Sequence, residues 1–244
     1  MTAAASLLAK LFDGGDRELV SHLSVDCTIF GFHAGRMKVL LLRWKHLSEW
    51  SLPGGFVRKD EPIDRAAERV LRERTGLDDV YLRQFHTFGG TDRREAELLP
   101  AFRAMGVEPP AEHWIVSRVV SVGYVALVDF EKAGLTPDEF SEECRWWELA
   151  SRPRLLFDHD EMVALALETV RTQLDYLPLA ANLLPEKFTM PELQALYETV
   201  LGRRLDRRNF QKRMLDQGFI ERLGERKTGG AHRSPYLYRF VTSA

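Results

Sequence analysis

The stretch GFVRKDEPIDRAAERVLRERTGL, Gly55 to Leu77, decides the fold. It sets Gly55, five residues, Glu61, seven residues, then Arg69, Leu71, Glu73, Gly76 and Leu77. Pro62 suits a first helical turn and Gly76 a helix stop, so the spacing predicts a helix over 62–75. Ile63, Ala66, Ala67, Val70 and Leu71 give it an apolar stripe. Positions 70, 73 and 74 share one face, because helix neighbours lie three and four residues apart. That face carries Val70, Glu73 and Arg74. On the helix surface Asp64, Glu68 and Arg72 stand at pairing distance along the chain, and Arg74 reads either as a solvated side chain or as a charge aimed at a ligand.

The spacing, preceded by Trp50-Ser51-Leu52-Pro53-Gly54-Gly55-Phe56, resembles a Nudix box with its chemistry removed. In a working box the shared face holds three glutamates, which gather divalent cations around a pyrophosphate for attack by water. Here two of the three are Val70 and Arg74. A guanidinium about 5 Å from a doubly charged cation costs roughly 6 kcal/mol at an effective dielectric near 20, before the side chain swings away. The resemblance implies the Nudix scaffold without its metal cluster.

The chain has 244 residues, 45% of them hydrophobic, which permits one large domain or two modest ones with packed cores. No apolar run approaches the roughly 20 residues that cross a bilayer, and the N-terminus lacks a secretory layout, so a cytoplasmic protein with no membrane partner is expected. Cys27 and Cys144 stand far apart without a ligand pattern and read as reduced, packed thiols. The seven histidines form no HExxH, and neither a GxSxG elbow nor a P-loop is present. The net charge of −2 hides a division: Lys187 to Arg239 holds twelve Lys/Arg against six Asp/Glu, leaving −8 for the remainder.

A short helix is expected at Ala3 to Phe12, strands at Leu23 to Phe32 and Lys38 to Trp44 around a turn containing Gly35, and further strands at Tyr81 to Phe88 and Val116 to Val128. This strand-helix-strand order suits an α/β sandwich. Arg93 to His113 reads as an inserted helix-loop. Asp158 and Glu161 have the spacing of a capping arrangement, opening a helix striped by Val163, Leu167, Val170 and Leu174. Tyr176 to Pro185, with two prolines, reads as the passage into a second domain.

In that second domain Thr189 and Glu192 form a capping box around Pro191, launching a helix that Gly202 stops near Leu201. Asp206 is the N-cap of a cationic helix to about Gln217, with Phe210 and Met214 inward and Arg208, Asn209, Lys212 and Arg213 across the other side. Strands at Phe219 to Leu223 and Pro235 to Val241 enclose a glycine-rich loop with Arg226, Lys227, His232 and Arg233. Helix, turn, basic helix and basic hairpin in that order predict a winged helix on duplex DNA. Arg and Asn read guanine and adenine edges there, and lysines supply counterion-release affinity.

A defective Nudix box joined to such a module resembles the Nudix-related transcriptional regulators, the NrtR family. The likeness runs through Thr87-Phe88-Gly89, Asp92-Arg93, Arg118 to Leu127, Trp146-Trp147, Phe157-Asp158-His159 and Phe188-Thr189-Met190-Pro191-Glu192-Leu193 to Asn209-Phe210. Arg94 to Ile115 is longer than the connection expected there. The resemblance implies a Nudix-type α/β/α sandwich over 1–157, a linker helix and connector over 158–186, and a winged helix over 187–244. It implies a homodimeric repressor on palindromic duplex DNA that responds to a small effector, ADP-ribose or a sugar, with no cofactor required. Effector contacts are expected from Gly55, Arg69, Arg74, Phe88 and Arg118. DNA contacts are expected from Arg207, Arg208, Asn209, Lys212, Arg213, Arg226, Lys227 and Arg233. The competing reading is a magnesium-dependent Nudix pyrophosphohydrolase for ADP-ribose or a similar nucleoside diphosphate, in which Glu61 and Glu73, helped by Glu142 or Glu143, hold the metal.

Overall fold

The computed structural model describes residues 3–91, 98–110, 113–174, 179–227 and 235–241. Its spine is strand β1, Leu19–His33, longer at both ends than the apolar run Leu23 to Phe32. β1 turns at Ala34-Gly35 into β2, Arg36–Trp44, and the two pair antiparallel from Phe30 opposite Val39. β3, Trp50–Ser51, pairs with the end of β2. β4, Gly54–Arg58, runs antiparallel to the first half of β1. β5, Tyr81–Phe88, pairs antiparallel with β6, Val120–Val128, which lies parallel to β1 along nine residues. β7, Ser141–Glu148, extends the sheet on β2. The order β3-β2-β1-β6-β5, with β4 and β7 off that path, makes a mixed seven-stranded sheet.

Side chains on a strand alternate between faces, so β1 serves two cores. Val25, Cys27 and Ile29 face helix α2, Ile63–Thr75, and meet Ala66, Ala67, Val70 and Leu71. Phe30 faces the other way, where Val39, Leu41, Val125 and Leu127 pack on Met162, Val163, Ala166 and Val170. Those four belong to α4, His159–Gln173, and the result is the expected α/β/α sandwich. Gly76, at φ 69°, ends α2 in the left-handed conformation and donates to the Arg72 carbonyl. The two cysteines are unpaired, and burial pushes both thiols up, Cys144 to about 11.

Three local expectations fail. The 116–128 strand starts only at Val120, because Trp114–Val116 forms a 3₁₀ turn capped by the His113 ring, which accepts from the Ile115 N–H. Asp158 stands at the α4 N-cap without a side-chain cap bond to Glu161. Asp160 instead accepts from the Leu155 N–H at 3.0 Å and from Arg152 at 2.8 Å, so the corner is braced two residues further in. On α2, Glu68 pairs with Arg65, Arg72 with Asp78, and Asp64 accepts from the Tyr124 hydroxyl, in place of pairs among themselves.

Helix α1, Ala3–Phe12, forms where expected, and helix α3, Leu99–Ala104, accounts for part of the inserted region. Leu8 from α1 packs with Leu98, Phe102, Ile115, Val116 and Leu156 in a third apolar cluster, against which Phe56 and Phe157 also rest. The insertion thus builds a wall beside β4.

Beyond α4 come β8, Phe188–Thr189, α5, Met190–Leu201, α6, Arg207–Asp216, β9, Ile220–Arg226, and β10, Tyr236–Phe240. The strands form a three-stranded sheet, β8-β10-β9, behind the two helices. The Thr189–Glu192 capping box closes in both directions, and Asp206 accepts from the Asn209 N–H. The Tyr176 to Pro185 passage differs from a solvated linker. Residues 175–178 lie outside the described residues, but Leu179, Ala180, Leu183 and Leu184 are buried in a core running from Phe30 through α4 to Phe188, Phe210 and Tyr238.

Candidate effector cleft and candidate nucleic-acid interface

Four segments converge on one cleft of about 1090 Å³: the α1 end with Gly14 to Leu19, the Ser51 to Arg58 turn, α2, and the Thr136 to Phe140 loop. Ser24 and Asp26 from β1, Phe157 and His159 from the α4 corner, and apolar side chains of β2 and of the insertion also line it. Gly54 is required at its floor, since a Cβ there would lie 2.1 Å from Asp26 Oδ1. Asp26 is buried, accepts from the Ser121 hydroxyl, and lies 3.6 Å from His159 Nε2.

The box residues separate into two roles. Arg69 donates from Nε and Nη2 to both oxygens of Glu61, at 3.1 and 2.7 Å, and to the Phe56 carbonyl at 3.1 Å. This holds the Glu61 carboxyl below its usual range, against the opposing effect of burial, and raises Arg69. Glu61 and Arg69 therefore staple the loop that leads into α2. Arg74 is neither solvated nor so engaged. It is 8% exposed and lines the cleft, with Nη2 3.2 Å from Glu73 and Nη1 3.4 Å from the Thr136 carbonyl. Its buried Nε has no hydrogen-bond partner among the described residues.

A divalent cation does not fit these residues. Val70 is buried in the α2 core, Arg74 brings a positive charge, and Glu73 lies between Arg69 at 3.7 Å and Arg74 at 3.2 Å. Glu142 and Glu143 pair with Arg43 on the β2–β7 ladder and are not among the cleft-lining residues. Among the described residues no group of three or more His, Cys, Asp or Glu gathers as a metal site would.

Gly55, Arg69 and Arg74 thus come together at the cleft. Phe88 and Arg118 lie elsewhere: Phe88 is buried against Phe85 and Gly123, and Arg118 donates to the Gly89 carbonyl. Asp26, Phe157 and His159 were not singled out as cleft residues. A carboxylate in the apolar run Val25 to Phe30 was the one signal available for Asp26.

In the second domain Arg207, Arg208, Asn209 and Lys212 are exposed on α6, beside exposed Arg203 and Arg204 in the turn before it. Arg213 differs, because its guanidinium packs near the rings of Tyr197 and Phe210, at 5.9 and 5.8 Å. Arg226 and Arg222 lie over the Tyr236 ring, 3.9 and 3.2 Å from its centroid, and Lys227 pairs with Glu192 at the head of α5. Arg233 lies outside the described residues. The base of the wing is thus tied inward while the head of α6 is left open.

A sandwich whose box helix has exchanged metal carboxylates for Val and Arg, fused to a winged helix, defines a Nudix-domain regulator. The NUDIX domain family matches residues 20–166, and the NrtR DNA-binding winged helix domain matches residues 180–240. The ADPR responsive transcriptional repressor NtrR of Acinetobacter baylyi is 33% identical over 226 residues, covering 90% of this chain and 82% of that protein. The crystal structure of Shewanella oneidensis NrtR with a 27mer DNA is similar at a TM-score of 0.72, 28% identity, and coverage of 90% of this chain and 93% of that one. A MutT/nudix family protein from Enterococcus faecalis shares the fold at a TM-score of 0.68, 23% identity, and coverage of 96% and 93%. The chain belongs to the NUDIX domain family, in the branch that carries the NrtR winged helix. Among the described residues no helix is long and apolar enough to cross a membrane.

Proposed function

We propose that this protein is a transcriptional repressor that binds operator DNA through α6 and the wing and lets go when ADP-ribose fills the cleft. The observation that carries this reading is Arg74. A box position that would hold a metal ligand holds instead a guanidinium that lines the cleft, a positive charge that suits a phosphate oxygen. With two metal carboxylates replaced, a bound pyrophosphate has charge neutralisation without the cations that cleave it, so the effector is held and not turned over.

Gly55 lets the chain pass close to Val70 of α2, Arg74 takes the anion, and Arg69 keeps the loop in place through Glu61. On the DNA side Arg207, Arg208, Asn209 and Lys212 enter the major groove with the turn arginines on phosphates. Arg226 and Lys227 shape the wing. Two copies related by a two-fold axis would match a palindrome, in the cytoplasm, with the domains meeting near 157 and 187. Neither magnesium nor another cofactor is needed for the response.

Selection of sites from random duplex DNA, followed by anisotropy with and without ADP-ribose in EDTA, tests the proposal. An enriched inverted repeat that is released by ADP-ribose supports it. Absence of enrichment, or magnesium-dependent cleavage abolished by Glu73→Gln, overturns it in favour of a hydrolase.

A further inference from the structure

We infer that His159 is the positioning residue that converts occupancy of the cleft into movement of the winged helix. This rests on the effector-release reading above and adds the part of the chain that carries the signal.

His159 opens α4 and, among the described residues, is the α4 residue that lines the cleft. It is buried, and its two ring nitrogens face different elements. Nδ1 accepts the Leu52 backbone N–H at 3.0 Å, so the proton of the neutral ring sits on Nε2, facing Asp26 Oδ1 at 3.6 Å. Leu52 belongs to the turn that carries Gly54 and Gly55, and Asp26 projects from β1 beneath Gly54. A molecule settling on this floor therefore meets the side chain that fastens α4 to it. The corner just before the helix is bent sharply: Phe157 lines the same cleft with a left-handed backbone at φ 57°, a conformation that costs a bulky residue energy and persists only when its surroundings impose it.

The far end of α4 is fastened to the DNA-binding domain. Arg171 Nε donates to the Val200 carbonyl at 2.7 Å, and Tyr197 donates from its hydroxyl to the Leu174 carbonyl at 3.1 Å. Both acceptors are main-chain groups at helix ends, so the two helices are locked in position and not merely in contact. Tyr197 in turn packs edge-on against Phe210 of α6, with ring centroids 5.2 Å apart. A 15-residue helix is a stiff rod of about 22 Å, and its buried face gives it no room to bend. A shift or rotation imposed at His159 thus arrives at α6 through Tyr197.

Two substitutions separate a positioning role from simple support of the fold. In His159→Asn the amide oxygen stands near Nδ1 and keeps the Leu52 bond, but the side chain no longer reaches Asp26. In His159→Gln the longer amide keeps the reach toward Asp26 and gives up the Leu52 bond. His159→Ala loses both. The full-length chain is titrated onto its selected duplex with and without ADP-ribose, and ADP-ribose binding is measured separately by calorimetry.

In the unaltered protein ADP-ribose is expected to weaken DNA binding by about tenfold or more. In His159→Ala that ratio should fall to within about twofold of unity once ADP-ribose saturates the variant, at whatever affinity the separate calorimetry gives, while DNA alone binds within about threefold of the unaltered protein. At least one of the two amides should restore part of the ratio, and which one does identifies the working contact. Full release retained by His159→Ala with intact folding overturns the inference. So does a variant whose lost response merely follows lost ADP-ribose binding, or failure of both amides to restore any of it. Absence of release in the unaltered chain is a different result and overturns the effector reading itself.

Discussion

Replacing Arg69 with Met should damage the fold and leave effector recognition largely alone. Arg69 places two charge-assisted bonds on Glu61 and a third on the Phe56 carbonyl, with side-chain exposures of 19% for Arg69 and 13% for Glu61. Bonds to charged groups contribute about 1.5–3 kcal/mol each, and methionine preserves the packing of the stem while stranding the carboxylate. Partial exposure lets water recover some of this, so the expected loss is about 2–4 kcal/mol, or a fall in melting temperature of roughly 5–15 °C for a chain of this size. The effect should depend on pH in a defined direction. Glu61 is held below its unfolded pKa chiefly by the Arg69 bond. Its stabilisation is therefore full above the ordinary carboxylate range and is lost as pH falls through the folded value, so the two proteins should converge in acid. Thermal melts of the unaltered chain, Arg69→Met, Glu61→Gln and the double variant from neutral to acid pH measure this. A double variant no worse than either single one is expected. Arg69→Met melting within about 1 °C of the unaltered chain would refute the staple, as would a loss of ADP-ribose affinity with stability unchanged.

Arg74→Gln should weaken ADP-ribose binding by about 10- to 100-fold in calorimetry without a comparable change in melting, because it removes a positive charge that lines the cleft. Thr189→Ala should cost about 1 kcal/mol in urea unfolding, since both directions of the α5 capping box pass through that residue or its amide. Lys212→Ala should weaken binding to all duplexes alike and reduce the salt slope by about one, whereas Asn209→Ala should flatten preference at one position of the selected site. Arg213→Ala should instead lower stability, because its guanidinium packs on Tyr197 and Phe210.

The elements with strong local signals were legible in the sequence. The box helix, the Thr189 capping box, the Asp206 cap and the Gly76 and Gly202 stops all depend on residues within four positions of each other, so their physics is written locally. β7 was missed because Ser141-Glu-Glu-Cys-Arg-Trp-Trp-Glu148 has only a weak apolar alternation and gains its place from pairing with β2, about a hundred residues away in sequence. The Asp158 cap failed for a related reason, as Asp160 is held by Arg152 and the Leu155 N–H across a corner that sequence spacing does not display. At the site, the replacement of two box glutamates was visible in Val70 and Arg74. The division of labour between Arg69 and Arg74 was not, because it depends on which arginine meets Glu61. Asp26 and His159 meet only once the sheet and α4 are packed, 133 positions apart in the chain.

The most direct test of the central claim is titration of ADP-ribose into the full-length protein on its selected duplex, in EDTA, with anisotropy reporting bound DNA and chromatography reporting the nucleotide. The account predicts that DNA is released and ADP-ribose is recovered intact. DNA that stays bound at saturating ADP-ribose, or release that appears only with added magnesium and with cleavage of the nucleotide, would contradict it.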